Sequence, residues 1–289
     1  MEIDGGFFAA LFGASCGPQG SLTVAQPPTE ESQEPGCAET PPKATHTWLV
    51  TTPYSTPPTI EAWLEFIEER ERRLHEADSF EVAVEHQVEF QTVYGLCAQA
   101  IRYAGAYVVL FRAGRSREAV AVARQALEHA LTAQWAHFDE SGPRQLIDGY
   151  HHSRQRAFRA VTEYLNTPQD EIDAALDSMT SKGKRLPRVT DMINQIDFNA
   201  TFSTAYMQQS QIIHVTGDTV TAFLDLDDEK RFIILSEATD PHERQTAHFT
   251  AMAAMFASWV LESLRVDTPG LAELDHLSDE LALPLNVRD

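Results

Sequence analysis

The chain has 289 residues, a hydrophobic fraction of 43% and a formal charge of −21, so it can bury a sizeable core but suits broad nucleic-acid binding poorly. Its three cysteines, Cys16, Cys37 and Cys97, lack metal-ligand spacing and fit a reducing compartment better than a disulfide framework. The start, Met1-Glu2-Ile3-Asp4, has no basic leader, and the longest apolar run, Phe249 to Leu261, is too short and interrupted to span a bilayer. The expectation is a cytoplasmic protein that does not enter a membrane.

Residues 1–58 are rich in Gly, Pro, Ser and Thr, and Gln26-Pro27-Pro28, Thr40-Pro41-Pro42 and Thr56-Pro57-Pro58 interrupt regular structure. This reads as a disordered arm. Thr59 then caps a helix running to about Ala77, with acids in its first turn. Ser79 caps a second, long helix from Phe80 to Arg112, closed by Gly114, with Val84, Val88, Val93, Leu96, Ala100, Tyr103, Tyr107 and Leu110 at helical spacing. A third helix spans Ser116 to Phe138. Ser141-Gly142-Pro143 breaks the chain before a fourth, from Arg144 to Leu165. Thr167-Pro168 opens a fifth that ends near Met179.

A basic loop, Lys182 to Arg188, and a short helix over 188–196 lead to an apolar-periodic segment from Thr201 to Leu224. Arg231 to Leu235 reads as one short strand or a buried extended segment. Asp240-Pro241-His242-Glu243 opens a helix that continues to Val266, buried on most sides. A weak helix and tail fill 268–289. With no alternating strand series and no internal repeat, the expected fold is all-α: a multi-helix bundle over 59–267 behind the disordered arm, followed by the tail.

Two polar features break the apolar pattern. Within Tyr206-Met-Gln-Gln-Ser210-Gln-Ile-Ile-His214, three polar groups recur every four residues and form one ascending helical stripe. Tyr206 falls among Phe202, Ile213, Val220 and Leu224 on the face to be buried, Ser210 at its edge and His214 further round. On the third helix, Arg124 lies inside the stripe of Val120, Leu127, Leu131, Trp135 and Phe138. A buried guanidinium must be paired, and Glu128 is one turn on. Arg before Glu is the weaker order on an isolated helix, so the pair calls for a tertiary reason. Polar groups on buried faces find one another, and Arg124 and Glu128 are expected to hydrogen-bond to the Tyr206 helix.

These two stretches, R-x-x-x-E at Arg124 and Glu128 and Y-x-x-x-S-x-x-x-H at Tyr206, Ser210 and His214, resemble a bacterial and phage domain-of-unknown-function family, numbered five-six-seven-seven. The resemblance covers roughly residues 90–225 and implies an all-helical fold with no settled activity. A looser similarity is to HEPN ribonucleases, helical domains with an R-x(4–6)-H motif. Here that motif is broken: no Arg precedes His214 at that distance, and no His follows Arg154 to Arg159 at the right place.

Two functions stay open. One is a non-catalytic interaction or regulatory module, in phage–host conflict or stress, whose polar residues fix helix packing. The other is a HEPN-like or nucleotide-directed hydrolase, with His214 as acid or base and Arg124 as charge stabiliser beside Glu128, Tyr206 and Ser210. No cofactor and no metal is expected, since His151-His152 lacks further ligands and His242 and His248 do not share a face. A protein partner is expected, with homo-oligomerisation and an RNA or nucleotide at a local basic site as further options. Arg154, Arg156, Arg159, Lys182, Lys184, Arg185 and Arg188 are the basic concentrations that would supply such a site.

Overall fold

In the computed structural model, residues 57–289 are described, apart from 179–182, 198–199, 215, 228, 230, 236–237, 239–241 and 289. The arm expected over 1–58 lies outside these residues except for its last two, as do Asp240 and Pro241 of the expected helix start. The described chain is all-α, with one two-stranded hairpin among its described residues.

Helix α1 (Ile60–Glu76) starts where Thr59 accepts a hydrogen bond from the Ala62 amide at 3.1 Å, as the capping pattern requires. The second helix, α2 (Gln87–Arg112), begins later than its periodicity suggested, and Ser79 does not cap it. The reason is tertiary. Val82 pairs with Arg265, and the Val266 amide donates to Glu81 O at 3.0 Å, which holds residues 81–82 extended. A single 3-10 turn, Val84–His86, then leads into α2.

Helix α3 (Ser116–Phe138) follows across Gly114, whose φ of +73° is the left-handed cap that glycine adopts without strain. The Arg115 amide reaches back to Leu110 O at 2.9 Å and completes that cap. Helices α4 (Gly142–Tyr164), α5 (Gln169–Ser178) and α6 (Val189–Ile196) come next.

Helix α7 spans Thr201–Ile213, not the whole expected segment to Leu224. Asp197 fixes its start by accepting from the Thr201 and Ser203 amides at 3.0 and 2.8 Å. At its other end, His214 turns extended (φ −88°, ψ 165°), and Thr216 and Thr219 donate their hydroxyls to Gln211 O and His214 O. These side-chain bonds satisfy end carbonyls and end the helix. A short α8 (Gly217–Thr221) leads to strands β1 (Leu224–Leu226) and β2 (Phe232–Ile234), an antiparallel pair in the register Leu224↔Ile234 and Leu226↔Phe232.

Helix α9 (Glu243–Ser263) is buried from Ala251 through Ser258 without a break. Helices α2, α3 and α9 pack on one another as the centre of the bundle. Helix α2 is long and apolar enough to cross a membrane, yet here it is one of these packed helices.

The packed unit continues beyond the boundary expected at 267. Helix α10 (Leu271–Leu281) and the segment after it add Leu274, Leu281, Leu283 and Val287 to the core. Two buried hydrogen bonds secure them: Trp63 Nε1 donates to Leu281 O at 2.9 Å, and the Val287 amide donates to Gln134 Oε1 at 3.3 Å.

Candidate functional site

The packing of α3 on α7 brings the two polar features together. Arg124 is surrounded by Val120, Leu127 and Leu131, all fully buried, so its own side chain is only 15% exposed. Each nitrogen of its guanidinium has a partner. Nε donates to Ser210 Oγ at 2.9 Å, Nη1 pairs with Glu128 Oε2 at 3.1 Å, and Nη2 donates to the Tyr206 hydroxyl. That hydroxyl in turn donates to Glu128 Oε2 at 3.2 Å, closing a ring of Arg124, Tyr206 and Glu128. The Ser210 hydroxyl donates a hydrogen bond to the backbone oxygen of Tyr206 at 2.7 Å.

The electrostatics follow from this closure. One positive and one negative group cancel, so little charge is left to hold an anion. Burial raises the Tyr206 pKa above its usual value, the Glu128 charge adds to the rise, and Arg124 opposes it. The phenol is therefore a neutral linker at physiological pH, a donor to the carboxylate and an acceptor from the guanidinium.

His214 does not join. The helix has ended one residue before it, its side chain is exposed, and its imidazole makes no hydrogen bond among the described residues. The stripe expected from four-residue spacing is thus real for Tyr206 and Ser210 and stops there. Gln209, in contrast, was missed. It is 2% exposed on the face that carries Tyr206, and neither amide atom has a partner among the described residues. The available signal was its spacing: three residues after Tyr206 is the same helical face.

The other sequence features are distributed elsewhere. Arg154, Arg156 and Arg159 are exposed on α4, and Lys184, Arg185 and Arg188 are exposed in the following loop; Lys182 lies outside the described residues. The loop lies along α4, since a side chain at Gly183 would strike the backbone of Asp148 and His152. Arg188 is already paired with Asp191 at 2.9 Å. Cys97 is fully buried and burial pushes its thiol well up, which keeps it unreactive. Among the described residues, no group of three His, Cys, Asp or Glu is arranged to hold a metal ion.

Residues 91–232 match a family described as a family of unknown function (DUF5677). The match contains α3, α7 and every member of the Arg124 ring. No curated protein and no solved structure matches the chain.

Proposed function

We propose, for a chain that belongs to this family through residues 91–232, a non-catalytic role as a helical interaction protein that binds a protein partner through the β1–β2 hairpin. The observation that carries this reading is the exposure of the hairpin's apolar side chains. Phe232 and Ile234 are 77% and 82% exposed, and Phe223, Leu224 and Ile233 are exposed around them. Contiguous exposed apolar surface on a folded unit marks an interaction site. The Arg124 ring supports the same reading. It fixes α7 onto the bundle, and α7 leads through α8 directly into the hairpin.

The chemistry of the partner follows from charge. Phe223 to Ile234 carries Asp225, Asp227, Asp228 and Glu229 against Lys230 and Arg231. A complementary surface is apolar with a rim of Lys and Arg. A second copy of the chain would bring a charge of −21 against −21, which disfavours self-association. Hydrolytic chemistry through His214 would need its imidazole to act with the Arg124 guanidinium, and its exposed side chain makes no hydrogen bond to that ring among the described residues.

The test is affinity capture from the native host with the wild type and with Phe232→Asp/Ile234→Asp. Capture of a protein with a basic-rimmed apolar surface, lost in the double variant while helicity and Tm are unchanged, is the expected result. Capture that survives the double variant, a dimer in light scattering, or salt-dependent retention of RNA would each overturn the reading.

A further inference from the structure

A cavity of about 280 Å³ opens between the end of α1, the residues that follow it, the end of α9 and the start of α10. Three arginines line it, Arg70, Arg73 and Arg265, against two carboxylates, Glu262 and Glu273. In a chain of charge −21, a concave lining with an excess of guanidinium is an exception.

Both carboxylates are already shared. Glu273 accepts from Arg70 Nη2 at 2.9 Å and also from Arg73. Glu262 accepts from Arg265 Nη1 at 2.9 Å and from the Gly270 amide at 3.0 Å. Burial pushes the Glu273 pKa up, but its bonds to Arg73 and Arg70 outweigh that and hold it below the usual value, so it stays charged. Arg70 is 7% exposed, and its buried Nε makes no hydrogen bond among the described residues; the buried Nε of Arg265 makes none there either. Buried donors without acceptors are rare, because each costs about 1–3 kcal/mol. Neither Nε is open to the cavity, but three guanidinium charges line it against two carboxylates, and a third carboxylate supplies the missing negative charge. The N-terminus of α10 faces the same space at Gly270 and adds positive potential.

The rest of the wall selects what carries that carboxylate. Leu74, Phe80, Ile101 and Leu261 are apolar, and Arg265 lies over the Phe80 ring with its guanidinium carbon 5.5 Å from the centroid. An inorganic anion would leave this surface unused. We infer that the cavity is a binding site for a small organic monocarboxylate with an aromatic or aliphatic body, its carboxylate on Arg265 and Arg70 and its body on Phe80 and Leu261.

The experiment is calorimetric titration of the full chain with phenylacetate and hexanoate, each beside its amide, and with inorganic phosphate. Two variants accompany the wild type. Arg265→Gln removes the more exposed guanidinium. Ala77→Trp fills the rim and leaves every ion pair in place. The proposal expects at least one acid to bind about tenfold or more tighter than its amide and than phosphate, and both variants, folded by circular dichroism, to weaken it at least as much. Absence of binding by both acids, equal binding of acid and amide, equal binding of phosphate, or wild-type affinity in either variant would overturn it. Should Arg265→Gln fail to fold, Ala77→Trp decides alone.

Discussion

Arg124 engages Tyr206 in two ways at once. Its guanidinium carbon lies 4.5 Å from the centre of the phenol ring, and its Nη2 donates to the hydroxyl of the same residue. The charge thus meets both the π-face and the oxygen of one side chain on a neighbouring helix. Replacing Arg124 by Met removes both contacts and strands Glu128, which keeps only the Tyr206 hydroxyl. A fully buried broken pair costs about 3–5 kcal/mol, and the 15% and 27% exposure here reduces the expected loss to about 2–3 kcal/mol. His214→Ala, at an exposed position after the helix, should stay within about 0.5 kcal/mol of wild type. Urea unfolding measures both, and equal losses in the two variants would contradict the ring.

The same phenol predicts an alkaline signature. The folded pKa of Tyr206 is raised above 10.0 by burial first and by Glu128 next. A group raised in the folded state contributes stability that is full below the unfolded value and lost as pH rises through the folded one. The stability difference between wild type and Tyr206→Phe should therefore hold below pH 10.0 and shrink as pH rises above it. A constant difference across that rise would mean that the hydroxyl is not buried between the two charges.

Glu273 gives the opposite sign. Its folded pKa lies below the ordinary 4.5, so its contribution is present above that value and is lost as pH falls through the folded one. Glu273→Gln should destabilise the protein at neutral pH, because Arg70 is 7% exposed and loses the one anion it has among the described residues. The variant should also flatten the acid limb of a denaturant-midpoint profile. An acid limb unchanged by Glu273→Gln would place that titration elsewhere.

The α3–α7 site was legible because each half announces itself locally. Arg124 interrupts an apolar stripe, and Tyr206 sits on a buried face; two such faults in one bundle have each other as the natural remedy. His214 was misplaced because periodicity continues past Ile213, while the helix is ended by Thr216 and Thr219, whose competing hydroxyl bonds carry no hydrophobic signal. Ser79 resembled a cap for a similar reason: the extended backbone at 81–82 is set by residues 265–266, far along the chain. The arginine-lined cavity was invisible altogether. Arg70 and Arg73 belong to a charged run that reads as a solvated helix face, and their partner Glu273 is some 200 residues away.

Gly142 supplies a packing prediction. It opens α4 against the end of α3, and a methyl group there would meet Ala136 O at 2.5 Å and Ala136 Cα at 2.6 Å. Neither atom belongs to a flexible side chain, so the backbone must shift. Gly142→Ala should cost about 1–3 kcal/mol, as overpacked sites do, although alanine is the better helix former. A neutral or stabilising outcome in thermal unfolding would show that α4 can move away from α3 freely.

The last prediction concerns the clasp that closes the bundle at α1, α9 and the chain's end. His248 on α9 packs against Trp63 of α1 with ring centres 4.9 Å apart and planes tilted by 52°, and its Nε2 donates to Ala282 O at 3.3 Å. Trp63 itself donates to the adjacent Leu281 O, so the two rings hold consecutive carbonyls at the end of α10. Burial lowers the His248 pKa, the Ala282 carbonyl partly restores it, and the charge of Arg244, which lies over Trp63, lowers it again. The folded protein therefore binds this proton less readily than the unfolded chain, whose value is near 6.5. The sign follows: the neutral imidazole's contribution is full above 6.5 and falls as pH drops below it, because unfolding then takes up a proton. Wild type should lose stability as pH falls below 6.5 beyond any loss in His248→Phe, which keeps a ring on Trp63 but cannot titrate. Every other side chain is common to both proteins, so the difference between the two profiles isolates His248. Parallel profiles would show that the ring accepts its proton within the fold, and that the clasp is held by Trp63 alone.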